Sequence, residues 1–505
     1  MDDKTNVKRS IRVKMEESKM MKKELTKAIY LRLTGIIVLL ISMAATVFCE
    51  DGPYAYPFRD PDLPLETRVN DLISRLTQDE KVSLLHQYQP AIPRLGIAAF
   101  RTGTEALHGI AWLGKATVFP QATGLGCTWD LELVKQIGSA VGDEARAFYK
   151  RNPAFNGLSL WAPVVDLERD LRAGRFEEGY GEDPYLVGQM AIAYASGLKG
   201  DHPFYYKAIP TLKHFYAYNQ EKNRITVSAS IDPRNKYEYY LKSFQYPITA
   251  GVAKSLMTSY NLVNGVPCTV APEINSLVKG SWTNGGDFFV VTDAGAPGNL
   301  VKSQRYYAKM CQAYAGMIKA GVDSMTQDGN NSKKVINDIN TALAEGLLTP
   351  ADIDRAVKNI LKVRFHTGEF DPPHRVPYTN IPDSVICSPE HSALALKAAQ
   401  KSIVLLKNNK NFLPLSKDKI KSIAVIGPLA NEVHTDYYSG TLPYQVTPLE
   451  GIRNKLRGKT VLYEEGCDLV AFKSKSKNKY VSAGNGGADY LTADKDIRGE
   501  SEIFA

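Results

Sequence analysis

The chain reads as an α/β protein, and the architecture its pattern predicts is a closed (β/α)8 TIM-like barrel followed by the start of a second α/β domain. Three observations carry this reading. Short apolar runs alternate with helical patterns from residue 65 to about residue 370, the order that builds a parallel sheet covered by helices. One run, Asp287-Phe288-Phe289-Val290-Val291-Thr292-Asp293-Ala294-Gly295-Ala296-Pro297, is continuously apolar between turn residues, as in a strand buried on both faces. No Gly-x-Gly-x-x-Gly and no phosphate-binding loop follows any strand. That favours the barrel over an open nucleotide-binding sheet.

Residues 1–49 read as a leader. Lys22, Lys23, Lys27 and Arg32 precede an apolar run from Ile36 to Phe48, broken only by Ser42 and Thr46. That is the length of a signal-peptide core and short for a membrane span. Val47 and Cys49 can serve a cleavage site before Glu50, and an uncleaved anchor is the alternative. A start at Met20 or Met21 gives a more usual leader, with the signal within residues 20–49. The expected location is secreted or periplasmic, with no stable membrane span once the leader is removed. Residues 1–35 hold ten Lys/Arg against five Asp/Glu, so +5 of the formal +8 lies there. The body is nearly balanced, and no nucleic-acid partner is expected. Beyond the leader Cys127, Cys268, Cys311, Cys387 and Cys467 are widely spaced and odd in number, which indicates neither a disulfide framework nor a zinc site.

Residues 50–64 form an extended arm rich in Pro, Asp and Tyr, opening a first domain that runs over 50–370. Leu65–Leu85 then carries apolar residues at helical spacing. The expected strands include Leu158–Val165, Thr211–Phe215, Ser255–Tyr260 and Phe288–Thr292. The expected helices include Leu131–Tyr149, Pro184–Leu198, Lys236–Ala250 and Lys302–Ala320. The proline-dense stretch Phe370–Pro377 opens a linker over 371–390. After it, His391–Lys401 reads as a helix, and Ile403–Leu406 and Ser422–Ile426 as strands of a second α/β domain over 391–470. That domain has too few strands for a complete sheet. Residues 471–505 combine alternation with turn chemistry, as in short antiparallel strands. The lysines from Lys473 to Lys479 read there as a solvated hairpin face.

Asp293 sits where its strand ends, on the face of a parallel barrel that carries chemistry. By itself it reads equally as a pocket carboxylate and as the N-cap of the next helix. Lys213 and His214 likewise close an apolar strand. Arg175 lies in a Gly-flanked loop with Glu177, Glu178, Glu182 and Asp183, some of which serve to fix the arginine. Asp166, at the end of the Leu158–Val165 run, and Arg169 are further candidates.

Seven stretches then come in one order: Pro61–Arg68, Glu105-Ala106-Leu107-His108-Gly109, Gly174–Pro184, Lys213-His214-Phe215, Met257-Thr258-Ser259-Tyr260-Asn261, Val291-Thr292-Asp293-Ala294-Gly295 and Ser402–Asn408. From about Tyr56 to Asp468 the chain resembles glycoside hydrolase family 3, the exo-acting β-glucosidases and β-xylosidases. The resemblance implies a barrel followed by an α/β sandwich domain. It implies that Asp293 is the nucleophile of a retaining double displacement, with an acid about 5–5.5 Å across the sugar. Tyr260 matches the tyrosine beside that carboxylate, where its hydroxyl can hold the attacking oxygen; a strand-end aromatic filling the barrel is the alternative. Glu105, Arg175, Lys213 and His214 match positions that bind the terminal sugar, and Asp166 joins them. The expected substrates are plant cell-wall oligosaccharides or aryl glycosides. No metal and no cofactor is expected, because carboxylates supply both charges of the mechanism.

Glu105 carries a specificity hint, since xylosidase-like members have glutamate where glucosidases usually have aspartate. Two departures accompany the match. The family's Arg-Asp-Pro-Arg-Trp-Gly-Arg is here Arg169-Asp170-Leu171-Arg172-Ala173-Gly174-Arg175, without the proline and the tryptophan. No general acid is assigned: the family's Asp-His dyad after Lys-His-Phe is replaced by Tyr216-Ala217-Tyr218-Asn219-Gln220-Glu221, and the second-domain acid is expected beyond residue 505. Residues 471–505 resemble the first repeat of a fascin-like β-trefoil. The rival expectation is a sugar-binding fragment impaired by the missing acid.

Overall fold

The computed structural model describes residues 54–466, 470–484 and 489–504; the leader and Cys467 lie outside them. Two units are distinguished, one ending at Pro64 and one beginning at Leu65. In the first, a short turn over Pro57–Arg59 is accompanied by stacking of Tyr56 on Phe58, with ring centroids 5.5 Å apart.

The second unit is built on five parallel strands, β1 (Thr104–Glu105), β2 (Ser159–Trp161), β3 (Ile209–Phe215), β4 (Ser255–Thr258) and β5 (Phe289–Thr292). They lie in sequential order, β5-β4-β3-β2-β1. The pairings Thr104↔Leu160, Ser159↔Ile209, Thr211↔Ser255 and Phe289↔Ser255 set the register. Every residue of these strands is buried. This is why their sequences run apolar rather than alternating.

Helices α1 (Leu65–Arg75), α2 (Leu131–Arg151), α3 (Pro184–Lys199) and α4 (Lys242–Thr249) precede α5 (Met310–Ala320), α6 (Lys333–Ala344) and α7 (Pro350–His366). Side-chain caps start several of them: Asp130 accepts from Leu133 N at 2.9 Å, Asp183 from Leu186 N at 2.7 Å, and Thr349 forms a capping box with Asp352. Helices α2 and α3 approach through glycines. A Cβ on Gly138 would stand 2.3 Å from the Tyr194 carbonyl oxygen, and one on Gly197 2.2 Å from that of Lys135.

The closed eight-stranded barrel is corrected. The parallel sheet has five strands and is not closed. Among the described residues it is continued past β5 by the single parallel bridges Val291↔Ser324 and His86↔Met325. The chain that should supply the remaining strands makes too few paired residues to form ladders. The expected helix Lys236–Ala250 is divided by a π-turn over Lys236–Tyr240, and α4 contains Pro247, which withholds an N–H from the helix ladder. The expected helix Lys302–Ala320 begins only at Met310. The amides of Tyr306 and Tyr307 both turn back to the Leu300 carbonyl, and a separate helix over Ala296–Lys302 comes before them.

After the linker, α8 (Pro389–Ser402) is capped by Ser388. Two strands, β6 (Ser422–Ile426) and β7 (Thr460–Glu464), pair in parallel, with α9 (Pro448–Lys455) between them in sequence. Ile403–Leu406 is not a strand. Its four side chains are 54–91% exposed, and among the described residues no neighbouring strand pairs with them. The described tail residues form the short antiparallel pairing expected there, β8 (Tyr480–Ser482) with β9 (Thr492–Lys495) plus the bridges Val470↔Phe504 and Lys473↔Tyr480; these pairings alone do not make a trefoil repeat. Among the described residues no helix is long and apolar enough to cross a membrane.

Candidate active site

Asp293 follows β5 directly, and it does not cap the next helix. The helix over Ala296–Lys302 starts from Gly295, whose φ of 75° places it in the left-handed region without a side-chain cap. One carboxylate oxygen, Oδ1, accepts the Ala294 N–H at 2.7 Å. The other, Oδ2, is buried with no hydrogen-bond partner among the described residues. The carboxyl stands at the wall of a cavity of about 530 Å3, shared with Glu105, Trp112, Trp161, Arg175, Tyr260 and Tyr438.

The sheet brings Glu105 and Asp293 to this wall, while Lys213, His214 and Asp166 stand buried behind it and do not line the cavity. Glu105 ends β1 and accepts the Lys213 ammonium of β3 at 2.8 Å. His214, next on β3, has its Nε2 3.9 Å from Asp293 Oδ2. Its Nδ1 faces Asp166 Oδ2 at 2.8 Å, and its own amide donates to the same carboxylate. Asp166 is therefore the orienting partner of His214, set behind the ring. Arg175 is fixed by Glu178, which accepts Nε at 2.7 Å and Nη2 at 2.6 Å in a bidentate pair. Tyr260 lies beside Asp293 at the cavity wall. Its hydroxyl donates to the Ala294 carbonyl at 2.8 Å, and it also stands against the Asp293 carboxylate: burial and then that carboxylate push the phenol well above its usual value. Arg169 lies elsewhere, in a second cavity that Asp293 does not line.

Burial governs the charges. It pushes Asp293 above the usual carboxylate value, opposed by Lys213, the Ala294 N–H and Arg175. It raises Glu105, with Lys213 opposing. Burial also works against the Lys213 ammonium, but Glu105 and Tyr438 hold that group above the usual lysine value. Of the two partners the charged lysine is the firmer, since its Nζ also lies 4.5 Å from the Tyr438 ring centroid. His214 is driven well below its ordinary value by burial and by Arg175 and Lys213. It is a neutral imidazole, and burial likewise pushes the Asp166 carboxyl facing its Nδ1 well above the usual carboxylate value.

Residues that sequence reasoning did not single out complete the cavity. Trp161 ends β2 and donates its indole N–H to the Thr102 carbonyl at 3.0 Å. It is seated there because position 103 is glycine: a Cβ would stand 2.2 Å from the indole ring. Tyr437 and Tyr438 come from a loop almost 150 residues beyond β5 in the chain. Asp436 anchors that loop by accepting from Gln121 at 3.2 Å and Ser439 at 2.6 Å and by facing His108 Nε2 at 3.1 Å. Arg175 donates to the Tyr438 hydroxyl at 3.2 Å, and the Trp112 and Tyr437 rings meet edge to face at 5.1 Å. The adjacent tyrosines were visible in the sequence, but nothing local tied them to β5.

Behind Arg175, burial and then Glu178 and Glu177 push the Glu168 carboxyl up to about 8, and its Oε2 has no partner among the described residues. The folded chain therefore keeps a proton that the unfolded chain loses near pH 4. Its contribution is fully present below that pH and is lost as pH rises toward 8. Glu168→Gln is expected to flatten the fall of Tm between pH 6 and pH 9 by roughly 2 °C, checked by thermal denaturation at both pH values. An unchanged slope would assign the alkaline loss to another group.

Two family models match the chain: "Glycosyl hydrolase family 3 N terminal domain" over residues 69–363 and "Glycosyl hydrolase family 3 C-terminal domain" over residues 403–498. A curated relative from Arabidopsis thaliana, "Probable beta-D-xylosidase 7", is 36% identical over 452 residues, 85% of this chain and 58% of its own length. The "Xylan 1,4-beta-xylosidase" of Xylanibacter ruminicola is 32% identical over 446 residues, 86% of this chain and 51% of its own length. Among solved structures, a "GH3 exo-beta-xylosidase" in complex with a xylobiose aziridine probe aligns with a TM-score of 0.76 at 30% identity, covering 85% of this chain and 56% of that one. The β-glucosidase 3B of Thermotoga neapolitana, in complex with α-D-glucose, aligns at 0.65 and 27% identity, covering 78% and 55%. The chain thus spans a little over half the length of these relatives. Nothing in these matches favours the sugar-binding fragment.

Proposed function

The chain belongs to glycoside hydrolase family 3, and on that premise we propose that it carries the nucleophile and sugar site of a retaining, exo-acting β-glycosidase releasing terminal xylose or glucose. The observation that carries this reading is the Asp293 carboxylate, anchored through Oδ1 and unpartnered at Oδ2 beside a cavity ringed by Glu105, Arg175 and Tyr260.

In the first step Asp293 Oδ2 attacks C1, the bond from C1 to the departing oxygen breaks, and an ester joins the sugar to the enzyme. Water then attacks C1, the ester breaks, and the sugar leaves with its original anomeric configuration. The departing oxygen needs a proton unless it leaves as a stable phenolate, an assistance worth roughly 10²–10⁴-fold. Aryl glycosides therefore test the nucleophile alone. Glu105 and Arg175 grip the sugar hydroxyls at the wall and Lys213 and His214 do so from just behind it, with Asp166 and Glu178 holding two of the four in place. Tyr260 stands beside Asp293, where its hydroxyl can hold the attacking oxygen.

The substrates proposed are short plant cell-wall oligosaccharides met outside the cytoplasm, the location read from the leader. Observing which anomer of xylose forms first from an aryl β-xyloside, by proton NMR, tests the mechanism. β-Xylose first is expected, and α-xylose first would overturn the double displacement.

Glu105 sets the preference for xylose in this reading, its longer side chain crowding the position of a C6 hydroxymethyl group. Glu105→Asp is expected to raise kcat/KM on an aryl glucoside relative to the xyloside by roughly 10-fold, within the ~1–3 kcal/mol that one methylene commands. A ratio that does not move would remove Glu105 from that role.

A further inference from the structure

A further cavity, of about 310 Å3, is walled by Arg146, Tyr149 and Lys150 of α2 and by Pro373, Val376 and Tyr378 of the linker. Its volume lies at the lower end of small-molecule sites, about 300–1,000 Å3. Helix α2 closes at Arg151 and the chain then enters β2 at Ser159. This end of α2 therefore lies at the N-terminal edge of the parallel strands, away from the edge that carries Asp293.

Arg146 is 6% exposed, and among the described residues no carboxylate pairs with it. Burial lowers its guanidinium to about 10, with the Tyr149 and Tyr378 phenols opposing, so it is still a cation at neutral pH. Nε donates to the Lys207 carbonyl at 2.6 Å, and Nη2 to the carbonyls of Tyr206 and Thr367 at 2.6 and 2.9 Å. Those neutral acceptors fix the fork. Nη1 is left with two N–H donors and no acceptor among the described residues. It is not one of the sealed, inaccessible polar atoms, so it opens onto the cavity that Arg146 lines. A buried charge is ordinarily paired, because an ion stripped of water without a counter-charge is costly. The two carboxylates of the lining do not supply one. Glu369 is held by Arg364, whose Nε donates at 2.8 Å, and Asp371 by Arg68 and the Tyr205 hydroxyl, the latter at 2.7 Å.

The donors that remain define the missing anion. Tyr149 and Lys150 stand three and four residues on from Arg146, on one face of α2. Burial and then Glu369 push the Tyr149 phenol up to about 12, so its hydroxyl keeps a proton to donate. Neither that hydroxyl nor the Lys150 ammonium has a hydrogen-bond partner among the described residues. A helix end draws cations on its own account, which explains Lys150 but not a guanidinium nitrogen left open in a cavity. A carboxylate is gripped best by two parallel N–H bonds from one guanidinium, and the carbonyls have taken most of that fork. Three single donors on three side chains suit the separate oxygens of a tetrahedral anion.

We propose that this cavity is a phosphate-binding site, in which Arg146 Nη1, the Tyr149 hydroxyl and the Lys150 ammonium each hold an oxygen of free phosphate or of a small molecule's phosphate ester. The bound anion supplies the counter-charge that Arg146 lacks and joins α2 to the linker between the two domains. The site is independent of the glycosidase reading, since none of these three residues lines the cavity of Asp293.

Calorimetric titration of the full chain at constant ionic strength tests the proposal, with inorganic phosphate, glucose 6-phosphate and acetate as probes. One phosphate site with a Kd of about 1 mM or tighter is expected, and acetate is expected to bind roughly tenfold more weakly. Glucose 6-phosphate binding at least as tightly as phosphate identifies an ester as the occupant, and weaker binding identifies the free anion; the proposal stands in both cases. Lys150→Glu and Tyr149→Phe are each expected to weaken phosphate roughly tenfold, the worth of one hydrogen bond to a charged group. Arg146→Met is expected to abolish binding; because it also gives up three carbonyl bonds, the other two variants carry the test should it not fold. No saturable phosphate binding overturns the proposal. So does an affinity that neither Lys150→Glu nor Tyr149→Phe moves, acetate binding as tightly as phosphate, or a structure at saturating phosphate with the anion only against Arg175.

Discussion

Asp293→Asn is expected to abolish turnover of an aryl β-xyloside, with a loss on the order of 10⁴–10⁶-fold, the range seen when a member of a covalent-catalysis unit is removed. The substitution keeps shape and keeps an oxygen for the Ala294 N–H, so the fold is expected to survive. Stability should rise rather than fall at neutral pH. Burial holds Asp293 above the usual carboxylate value, which means the folded state resists its ionisation, and the amide removes that cost. The same shift fixes the sign of the pH dependence. Activity needs the carboxylate and is lost as pH falls through its folded value, so the acid limb of kcat/KM lies above the ordinary carboxylate range. Asp293→Gly supplies a second reading. With azide present, the anion takes the vacated place and attacks C1 from the side the carboxylate used, giving an α-glycosyl azide. Full turnover in Asp293→Asn would end the assignment, whereas lost activity with lost folding would leave the azide product to decide.

Much of this site was legible because strand ends are legible. β3, β4 and β5 were readable as apolar runs closing on polar residues, and Lys213, His214 and Asp293 are those closing residues. Their joint position follows from the sequential parallel order of the sheet. Closure of the sheet was not readable. A run such as Ile403–Leu406 says only that a segment suits burial, while a strand also needs a neighbour with free N–H and C=O groups. None is paired with it among the described residues. Tyr437 and Tyr438 stayed hidden for a related reason. Their place above Lys213 depends on the Asp436 contacts with His108 and Gln121, more than 300 residues earlier in the chain. The Tyr260 hydroxyl shows the limit at the scale of one bond, since the sequence places the ring near Asp293 but cannot say which of two adjacent oxygens takes its proton.

Lys213→Met carries the second large expected effect, and it separates a charge role from a packing role. Methionine keeps much of the side chain's volume but leaves the Glu105 carboxyl in a dry setting without its cation. Removing one partner of a buried pair costs about 3–5 kcal/mol. Loss of the ammonium's hydrogen bond to the substrate should lower kcat/KM by a further ~10–100-fold, the worth of a hydrogen bond to a charged group. The stability deficit should depend on pH with a definite sign. Glu105 is already raised by burial, and Lys213 is the first group that opposes the rise, so in the variant its folded value climbs further. A carboxyl raised in the folded state contributes fully when protonated and costs stability as pH rises through that value. Urea unfolding should therefore show a larger deficit at pH 8 than at pH 5, and Glu105→Gln added to Lys213→Met should recover most of it at pH 8. An equal deficit at both pH values, with no recovery in the double variant, would mean that Lys213 holds this site by filling space and that its charge contributes nothing to the fold.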